Sequence, residues 1–194
     1  MILTLPDPAL VLLVGPSGAG KSTFAQAHFR PTEIVSTDAL RAMLADDPAD
    51  QSASSVAFQL LAIVTNGRLR RGLTTVIDAT NLRAATRHGL QLSAARYGVP
   101  CVAIAFDLPA PVYEARNRQR EGRVVSDDVV EDQVARMREA LGELEAEGYA
   151  ALHVLREPES LGQMSIERVP APRLPISPRA ESRRRGAKPG RRWR

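Results

Sequence analysis

The chain alternates between short apolar runs and longer segments of helical periodicity. Five runs have the length and composition of buried strands: Leu10 to Val14, Glu33 to Ser36, Thr74 to Ile77, Cys101 to Phe106 and Ala151 to Leu155. Six segments have a helical pattern: Lys21 to Phe29, Ala39 to Ala45, Ser54 to Arg71, Arg83 to Tyr97, Pro111 to Arg120 and Asp127 to Glu147. This alternation predicts an α/β fold, in which a five-stranded parallel sheet carries helices on both faces.

A phosphate-binding motif follows the first predicted strand. Residues 15–22 read Gly-Pro-Ser-Gly-Ala-Gly-Lys-Ser and fit the pattern G-x-x-x-x-G-K-[ST]. Such a loop points backbone N–H groups at phosphate oxygens, and the helix that it opens favours anions at its N-terminus. Lys21 is expected to reach the β- and γ-phosphates of ATP, and the Ser22 hydroxyl to ligate Mg²⁺. The predicted nucleotide-binding set here is Gly15, Ser17, Gly18, Ala19, Gly20, Lys21, Ser22 and Thr23.

Asp38 follows the second predicted strand, at the sheet edge where α/β folds bind ligands. As a general base it would take the proton of an acceptor hydroxyl that attacks the γ-phosphate. As a helix N-cap it would only accept backbone hydrogen bonds, and the sequence leaves both interpretations open. Arg41 lies on the same helix face and is expected to bind an anionic group of the acceptor. The alternative for Arg41 is an intrahelical ion pair with Asp38.

Further polar residues follow the third predicted strand. Asp78 is expected to act on Mg²⁺ through water. Thr80 or Asn81 would position the acceptor or the γ-phosphate. For Asn81, capping of the next helix is the alternative interpretation.

Three arginines with helical spacing precede the last predicted helix. Arg116, Arg120 and Arg123 lie four and three residues apart and would share one helix face. Only Glu121 accompanies them, so their charges would repel one another unless an anion lies among them. The segment from about residue 116 to residue 127 is therefore predicted to be a lid that closes over the ATP phosphates. A solvated charged face is the alternative.

The chain of 194 residues has the size of one domain. Its longest apolar runs are strand-sized, far short of a membrane span, and the N-terminus resembles no signal peptide. A cytoplasmic protein without membrane contact is therefore expected. The single cysteine, Cys101, begins an apolar run, which favours a core position over a nucleophilic role.

The formal net charge of +4 is unevenly distributed. Residues 173–194 contain eight Arg and one Lys against one Glu, a net charge of +8, which leaves −4 for residues 1–172. We therefore predict a folded domain over residues 1–158 and a Pro- and Arg-rich tail over residues 159–194, which has too little apolar content to order itself. Such a tail is either a non-specific nucleic-acid tether or a solvated extension without function.

Together, these motifs resemble the polynucleotide 5′-hydroxyl kinases, with the nearest similarity to the kinase domain of bacterial polynucleotide kinase-phosphatases. The resemblance spans about Leu10 to Leu155 and rests on the phosphate loop, Ser36-Thr37-Asp38-x-x-Arg41, Asp78-Ala79-Thr80-Asn81, and Arg116-Asn117-x-x-Arg120 with Arg123. It implies an adenylate-kinase-like P-loop fold with an arginine-bearing lid. It also implies transfer of the ATP γ-phosphate, with Mg²⁺, to a 5′-OH end of RNA or DNA.

The resemblance also implies roles for individual residues. The implied catalytic residues are Asp38 as general base, Lys21 and Arg120. Further contacts to ATP are implied for Arg116, Arg123 and Val125, the last of which would pack on the adenine. Contacts to the acceptor strand are implied for Asp38, Arg41, Gln51, Asn81 and Arg83, with Arg41 on the phosphate next to the 5′ end. The metal-binding residues would be Ser22 and Asp78.

Bacterial end-healing enzymes of this kind carry phosphatase and ligase modules after the kinase, and a chain of this length has no room for them. We expect that it works alone or that separate phosphatase and ligase proteins supply those steps. Two other functions stay open. One is a kinase of similar fold that acts on a sugar acid, a nucleoside or an antibiotic, and the other is a nucleotide-dependent module that binds nucleic acid without chemistry.

Overall fold

The computed structural model describes residues 2–119, 125–158, 164–172 and 174. Its strands are β1 (Ile2–Asp7), β2 (Leu10–Val14), β3 (Ile34–Ser36), β4 (Thr75–Asp78), β5 (Cys101–Phe106), β6 (Ala151–Leu155) and β7 (Ser165–Pro170). Five of them form a parallel sheet in the order β3-β4-β2-β5-β6. The predicted α/β fold with a five-stranded parallel sheet is thereby confirmed.

Helices connect these strands and cover both faces of the sheet. They are α1 (Lys21–His28), α2 (Thr37–Ala45), α3 (Ser54–Leu69), α4 (Ala84–Arg96), α5 (Ala110–Arg118) and α6 (Asp127–Leu144), with short 3-10 turns at Pro31–Glu33 and Gln51–Ala53. All six predicted helices are present, with ends that differ by a few residues. In α6, the buried side chains of Val130, Met137 and Leu144 lie seven residues apart and form one apolar stripe.

The central strand β2 separates two hydrophobic cores. Val11 and Leu13 contribute to one core, together with side chains of α1, while Leu10, Leu12 and Val14 contribute to the other, with side chains of α3 and α4. The alternation follows from the two-residue period of a strand. It also explains why β2 is apolar at every position.

The lone cysteine is a structural residue. Cys101 begins β5 and packs against the core that contains the side chains of α3 and α4. Burial raises the pKa of its thiol to about 12, so the thiol is protonated near neutral pH. This agrees with the core position expected from the sequence.

A second sheet corrects the predicted domain boundary. Strand β1 pairs in parallel with β7, from Ile2 opposite Ser165 to Asp7 opposite Pro170. Neither strand was predicted, and β7 lies inside the segment 159–194 that was assigned to the tail, so the boundary at residue 158 is wrong in that respect. The sequence gives no clear strand signal for β7, because its two apolar side chains, Ile166 and Val169, are only partly buried and its other residues are polar, charged or proline.

A helix that crosses a bilayer must be both long and apolar. Among residues 2–119, 125–158, 164–172 and 174, no helix combines the necessary length with sufficient apolarity.

Candidate active site

A cavity of about 810 Å³ opens at the carboxyl ends of β2, β3 and β4. This is the edge at which parallel α/β sheets bind ligands. Residues of the phosphate loop, of the first turn of α2, of the loop after β4 and of the facing sides of α3, α5 and α6 line it. The predicted site residues that line it are Ser17, Gly18, Gly20, Lys21, Ser22, Thr23, Asp38, Arg41, Gln51, Asp78, Asn81, Arg83 and Arg116.

Two glycines within the phosphate loop have left-handed backbone conformations. Gly18 has φ +81° and Gly20, the N-cap residue of α1, has φ +88°. A Cβ on Gly18 would lie 2.3 Å from the carbonyl oxygen of Tyr113 in α5, so the loop also requires glycine there for close packing. The Ser17 N–H donates to Oε1 of Gln133 in α6 at 2.7 Å. Two helices beyond the loop therefore hold it in place.

Lys21 lies over the phosphate loop itself. Its ammonium group donates to the carbonyl oxygens of Gly15 at 2.8 Å and Pro16 at 2.7 Å, and the side chain is mostly buried. Lys21 is also the first residue of α1, at the positive end of the helix dipole. The arrangement concentrates positive charge and backbone N–H donors at one wall of the cavity, as binding of phosphate groups requires.

The structure excludes one of the two interpretations of Asp38. Ser36 is the N-cap of α2, and its hydroxyl oxygen accepts from the Ala39 N–H at 3.4 Å, so the capping interpretation of Asp38 is wrong. Asp38 lies in the first helical turn, where its carboxylate forms an ion pair with Arg41. This is the ion pair that the sequence offered as the alternative for Arg41.

Arg41 is more than a surface partner of Asp38. Its side chain is 5% exposed, against 28% for that of Asp38. Its Nε donates to the carbonyl oxygen of Pro48 at 2.8 Å. The buried guanidinium therefore fixes the carboxylate of Asp38 while that carboxylate stays open to the cavity.

Hydrogen bonds of the Asn81 side chain hold the loop after β4 in place. This residue has φ +49°, and its Nδ2 donates to the carbonyl oxygens of Leu13 at 2.8 Å and Ile77 at 3.3 Å. The N-cap residue of α4 is Arg83, so the alternative interpretation of Asn81 as the cap of this helix is wrong. Asn81 instead ties the end of β4 to β2, which positions the buried carboxylate of Asp78 beside the phosphate loop.

A buried arginine that the sequence analysis missed supports the same loop. Arg87 of α4 is completely buried and donates to the carbonyl oxygens of Asn81 at 3.1 Å and Leu82 at 2.7 Å. It also pairs with Glu143 of α6 at 2.8 Å and with Glu147. Burial alone would raise the pKa of Glu147, but hydrogen bonds from Arg87 and Tyr149 lower it.

The spacing of residues in α4 indicates that Arg87 is buried. Arg87, Leu90 and Ala94 are the buried residues of α4, three and four residues apart. Because residues three and four apart share a helix face, this spacing puts Arg87 on the buried face of α4. A buried arginine needs acidic partners.

The predicted lid is only partly described. Arg116 lines the cavity, whereas Arg120 and Arg123 lie outside the described residues. The side chain of Asn117 is buried and brackets Val125, with Nδ2 donating to the Val125 carbonyl oxygen at 2.6 Å and Oδ1 accepting from its N–H at 3.1 Å. The two ends of the predicted lid are thus joined at its base.

Some predicted nucleotide contacts lie elsewhere. Val125 is mostly buried in the hydrophobic core, and it is not among the residues that line the cavity. Its expected packing on adenine is therefore not supported, because its side chain already packs against the protein. Gly15 and Ala19 belong to the phosphate loop but do not line the cavity either.

Helix α6 supplies cavity residues that the sequence analysis did not single out. They are Asp132, Gln133 and Arg136, of which Arg136 pairs with Asp132 at 2.9 Å. All three lie between the buried positions of the stripe of α6. That pattern identifies a polar helix face but not the ligand that it meets.

A family model for an AAA domain matches residues 10–144. The chain belongs to this family. Its fold is similar to that of solved kinases, and its phosphate loop fits a nucleotide-binding motif. None of the curated proteins compared matches the chain.

Solved structures with a similar fold come from proteins with different substrates. A chain of the Pnkp1/Rnl/Hen1 RNA repair complex has a TM-score of 0.62 and 23% identity, over 72% of this chain and 47% of that chain. A gluconokinase from Sinorhizobium meliloti 1021 has a TM-score of 0.51 and 19% identity, over 82% of this chain and 88% of that one. A sugar kinase from Janibacter sp. HTCC2649 has a TM-score of 0.52 and 23% identity, over 80% and 91%.

At these identities the likeness shows the fold and leaves the substrate open. The chain spans about half the length of the repair-complex chain that it matches, and most of the length of the two small-molecule kinases.

Proposed function

We propose that this AAA domain protein is an ATP-dependent polynucleotide 5′-hydroxyl kinase, which transfers the γ-phosphate of ATP to 5′-OH ends of RNA or DNA. The observation that carries the proposal is that Asp38 lines one cavity together with Lys21 and Ser22 of the phosphate loop. Because Ser36 caps α2, Asp38 is left without a capping role. A fixed carboxylate opposite a phosphate loop is what phosphoryl transfer to a hydroxyl needs.

The side chains of the cavity then have distinct roles. Asp38 accepts the proton of the attacking 5′-hydroxyl, and Arg41 positions Asp38 and faces the acceptor. Lys21 and the N–H groups at the start of α1 bind the β- and γ-phosphates. Arg116, with Arg120 and Arg123 of the predicted lid, stabilises the charge that spreads over the transferred phosphoryl group. Gln51 and Arg83, which also line the cavity, contact the acceptor strand.

Ser22 and Asp78 are the residues that would hold Mg²⁺. Both line the cavity, and hydroxyl and carboxylate oxygens are the hard donors that this cation prefers. A protein set of two fits, since the nucleotide phosphates and water complete such a site. When bound, Mg²⁺ would neutralise charge on the β- and γ-phosphates.

The charge of the cavity supports an anionic acceptor. Its lining includes five cationic side chains, Lys21, Arg41, Arg83, Arg116 and Arg136, against the carboxylates of Asp38, Asp78 and Asp132. The cavity is therefore net positive although residues 1–172 together carry −4. A positively charged cleft in a negatively charged domain concentrates anionic ligands in the cleft.

A small-molecule kinase is the second candidate. The fold neighbours include a gluconokinase and a sugar kinase. The similarity covers 88% of the gluconokinase chain and 91% of the sugar kinase chain. The pair of Asp38 and Arg41 also suits a hydroxyl beside an anionic group of a sugar acid, a nucleoside or an antibiotic. A third possibility, a nucleotide-dependent binding module without chemistry, predicts no transfer at all.

The test of the proposed function is transfer of labelled γ-phosphate from ATP, with Mg²⁺, to short single strands of RNA and DNA that end in 5′-OH. Asp38→Asn is expected to lower the rate roughly 10²- to 10⁴-fold, because it removes the base. It should leave ATP binding unchanged. The matched control is Asp46→Asn at the exposed C-terminal end of the same helix, where φ is +55° and Asn is well tolerated.

Three outcomes separate the candidate functions. Strand labelling that depends on Asp38 supports the polynucleotide kinase. ATP turnover without strand labelling, together with phosphorylation of a metabolite, contradicts it and supports the small-molecule kinase. If deletion of residues 173–194 abolishes strand binding and no transfer occurs with the full chain, the binding module is supported, since a kinase should keep its turnover on short strands.

We further propose that separate proteins carry out the other steps of end processing. The structural neighbour from an RNA repair complex occurs together with Rnl and Hen1. Separate phosphatase and ligase proteins would be the corresponding partners of this chain. Co-purification of the full chain with such proteins from its own host tests this.

A further inference from the structure

A smaller groove between α3 and α4 adjoins the active-site cavity. It encloses about 270 Å³ and shares Phe58, Asn81 and Thr86 with the cavity. None of the described residues that line it is charged. Pockets for whole small ligands have volumes of roughly 300 to 1,000 Å³. The groove therefore suits one uncharged ring of a larger ligand that extends into the cavity.

Two polar atoms of α3 at this groove have no hydrogen-bond partner among the described residues: Thr65 Oγ1 and Asn66 Oδ1. Thr65 is completely buried. Nδ2 of Asn66 donates to the carbonyl oxygen of Ala62 at 2.7 Å, which fixes the amide so that Oδ1 is the unpaired acceptor. Buried polar atoms without partners destabilise a fold, so two adjacent ones at a groove point to a ligand or water that pairs with them.

The polar atoms and an aromatic side chain define the kind of ring that fits. Thr65 lines the groove, and its hydroxyl has both donor and acceptor capacity. Asn66 Oδ1 adds an acceptor beside it. Phe58 is 48% exposed at the junction with the cavity and offers a stacking face. A flat heterocycle with N–H and ring-nitrogen groups at one edge matches all three.

We infer that this groove binds the nucleobase of the terminal nucleoside whose 5′-hydroxyl receives the phosphate. The inference rests on the proposed kinase function and deepens it. Phe58, Asn81 and Thr86 line both the groove and the cavity that Asp38 lines, so a ligand in the groove can extend into the cavity of the proposed base. A sugar acid has no flat apolar ring and would leave the groove unused.

Gly89 offers a variant that blocks the groove. It lines the groove from α4, and a Cβ added there meets no heavy atom within 4 Å. Gly89→Leu therefore fills the groove without a clash at its Cβ. Gly142→Leu is the matched control, since Gly142 has equally open surroundings in α6 and does not line the groove.

Thr65→Val gives a second variant that tests the polar atom alone. It removes the unpaired hydroxyl with almost no change of volume. We expect this variant to be at least as stable to heat as the wild type, because an unsatisfied buried group is lost, and yet to bind nucleosides more weakly.

Two measurements use these variants. The first is binding of adenosine, cytidine, guanosine and uridine, by calorimetry, to the full chain saturated with a non-hydrolysable ATP analogue. The second is kcat/KM for 5′-OH strands with an intact or an abasic 5′ nucleotide. We expect Gly89→Leu to weaken nucleoside binding and lower kcat/KM for intact ends roughly tenfold. Abasic ends should react equally in the wild type, Gly89→Leu and Gly142→Leu.

The outcomes distinguish this inference from the function on which it rests. If the wild type uses intact and abasic ends equally, or if Gly89→Leu binds nucleosides as the wild type does, the groove is not a nucleobase site although the kinase stands. If no strand accepts phosphate, the proposed function fails. Nucleoside binding then tests the groove by itself. If Gly89→Leu and Thr65→Val weaken nucleoside binding, the groove is a nucleobase site. If the wild type binds no nucleoside, or the variants bind as the wild type does, it is not.

Discussion

Gly18 shows how a single residue joins the phosphate loop to the rest of the domain. Its left-handed backbone favours glycine, and the carbonyl oxygen of Tyr113 occupies the space that any side chain would need. Tyr113 is itself fixed, because its hydroxyl donates to the Phe106 carbonyl oxygen at 2.7 Å and accepts from the Leu108 N–H at 2.6 Å. The loop is therefore set by α5 as well as by its own sequence.

Replacement of Gly18 should damage both stability and nucleotide binding. Gly18→Ala combines strain at φ +81° with a contact of 2.3 Å to backbone. We expect a loss of about 2 kcal/mol or more in the free energy of unfolding, and much weaker ATP binding. Gly142→Ala in α6, where a Cβ meets nothing within 4 Å, is the control and should be neutral or stabilising. Urea unfolding and calorimetry with ATP measure both effects; unchanged binding in Gly18→Ala would contradict the rigid-loop account.

The sequence predicted which residues lie together at the candidate site better than it predicted what each of them does there. Asp38, Arg41 and Asp78 do come together with the phosphate loop in one cavity. Whether Asp38 caps its helix depends on where α2 begins, and a shift of two residues decides that Ser36 is the cap. Such boundaries are set by tertiary packing and are not visible in the local sequence.

At the scale of elements, α4 and α6 act as a brace for the loop after β4. Arg87 connects the two helices through Glu143 and Glu147, and it also holds the carbonyl groups of Asn81 and Leu82. Gln91 adds a hydrogen bond from its Nε2 to the Glu147 carbonyl oxygen at 3.0 Å. Arg87, Gln91, Glu143 and Glu147 do not line the cavity, so the brace affects the site through the position of the loop.

Loss of the brace should destabilise the domain and disturb the site. Arg87→Met removes the cation while Glu147 stays partly buried, and we expect a loss of about 3 kcal/mol in the free energy of unfolding. The control is Arg96→Met at the exposed end of the same helix, which should change it by less than about 0.5 kcal/mol. Thermal unfolding compares the two. Equal melting temperatures for both variants would show that the buried network contributes nothing.

Most elements were predictable because apolar runs and helical stripes are local signals. The five strands of the central sheet and the six helices are all there, and β2 and β5 have the bounds predicted for them. Strand β7 was not predictable in the same way, because four of its residues, Ser165, Glu167, Arg168 and Pro170, are polar or proline. It forms because β1 offers a partner far away in the sequence, a long-range effect that composition does not reveal.

At the scale of the whole molecule, β7 fastens the far end of the described chain to the start of the domain. Arg168 forms two parallel hydrogen bonds of 2.8 Å with Glu33, whose side chain is 2% exposed. The Arg168 guanidinium also lies 5.6 Å from the centre of the Phe29 ring. Hydrogen bonds from Arg168 lower the pKa of Glu33 to about 2, against the opposing effect of burial and with further help from Arg30.

This ion pair predicts a pH dependence of stability. Because the pKa of Glu33 is lowered from 4.5 in the unfolded chain to about 2, its contribution is complete above pH 4.5 and is lost as the pH falls toward 2. Glu33→Gln should lower the free energy of unfolding by about 2 kcal/mol at pH 7, and the difference from wild type should shrink between pH 4.5 and pH 2. Exposed Glu139→Gln is the control. A difference that stays constant across this range would contradict the ion-pair account.

The charge of the molecule is arranged around the cavity. A net-positive cleft lies in a domain whose residues 1–172 carry −4, and the basic residues 173–194 extend the positive charge along the chain. This distribution suits a nucleic-acid end that approaches the cleft and is held there by its phosphates. Binding should accordingly weaken as salt rises, whereas the chemical step should not change.

If the protein transfers phosphate to the 5′-hydroxyl of a strand, the position of that phosphate on the product reveals it. Short strands with 5′-OH or 5′-phosphate ends are incubated with ATP, Mg²⁺ and the full chain, and mass spectrometry of nuclease digests identifies the modified nucleotide. We expect one added phosphate, confined to the 5′ terminus of the 5′-OH strand, and no change in the 5′-phosphate strand. A 5′-OH strand that stays unmodified while a sugar acid or free nucleoside in the same mixture gains phosphate would contradict the account.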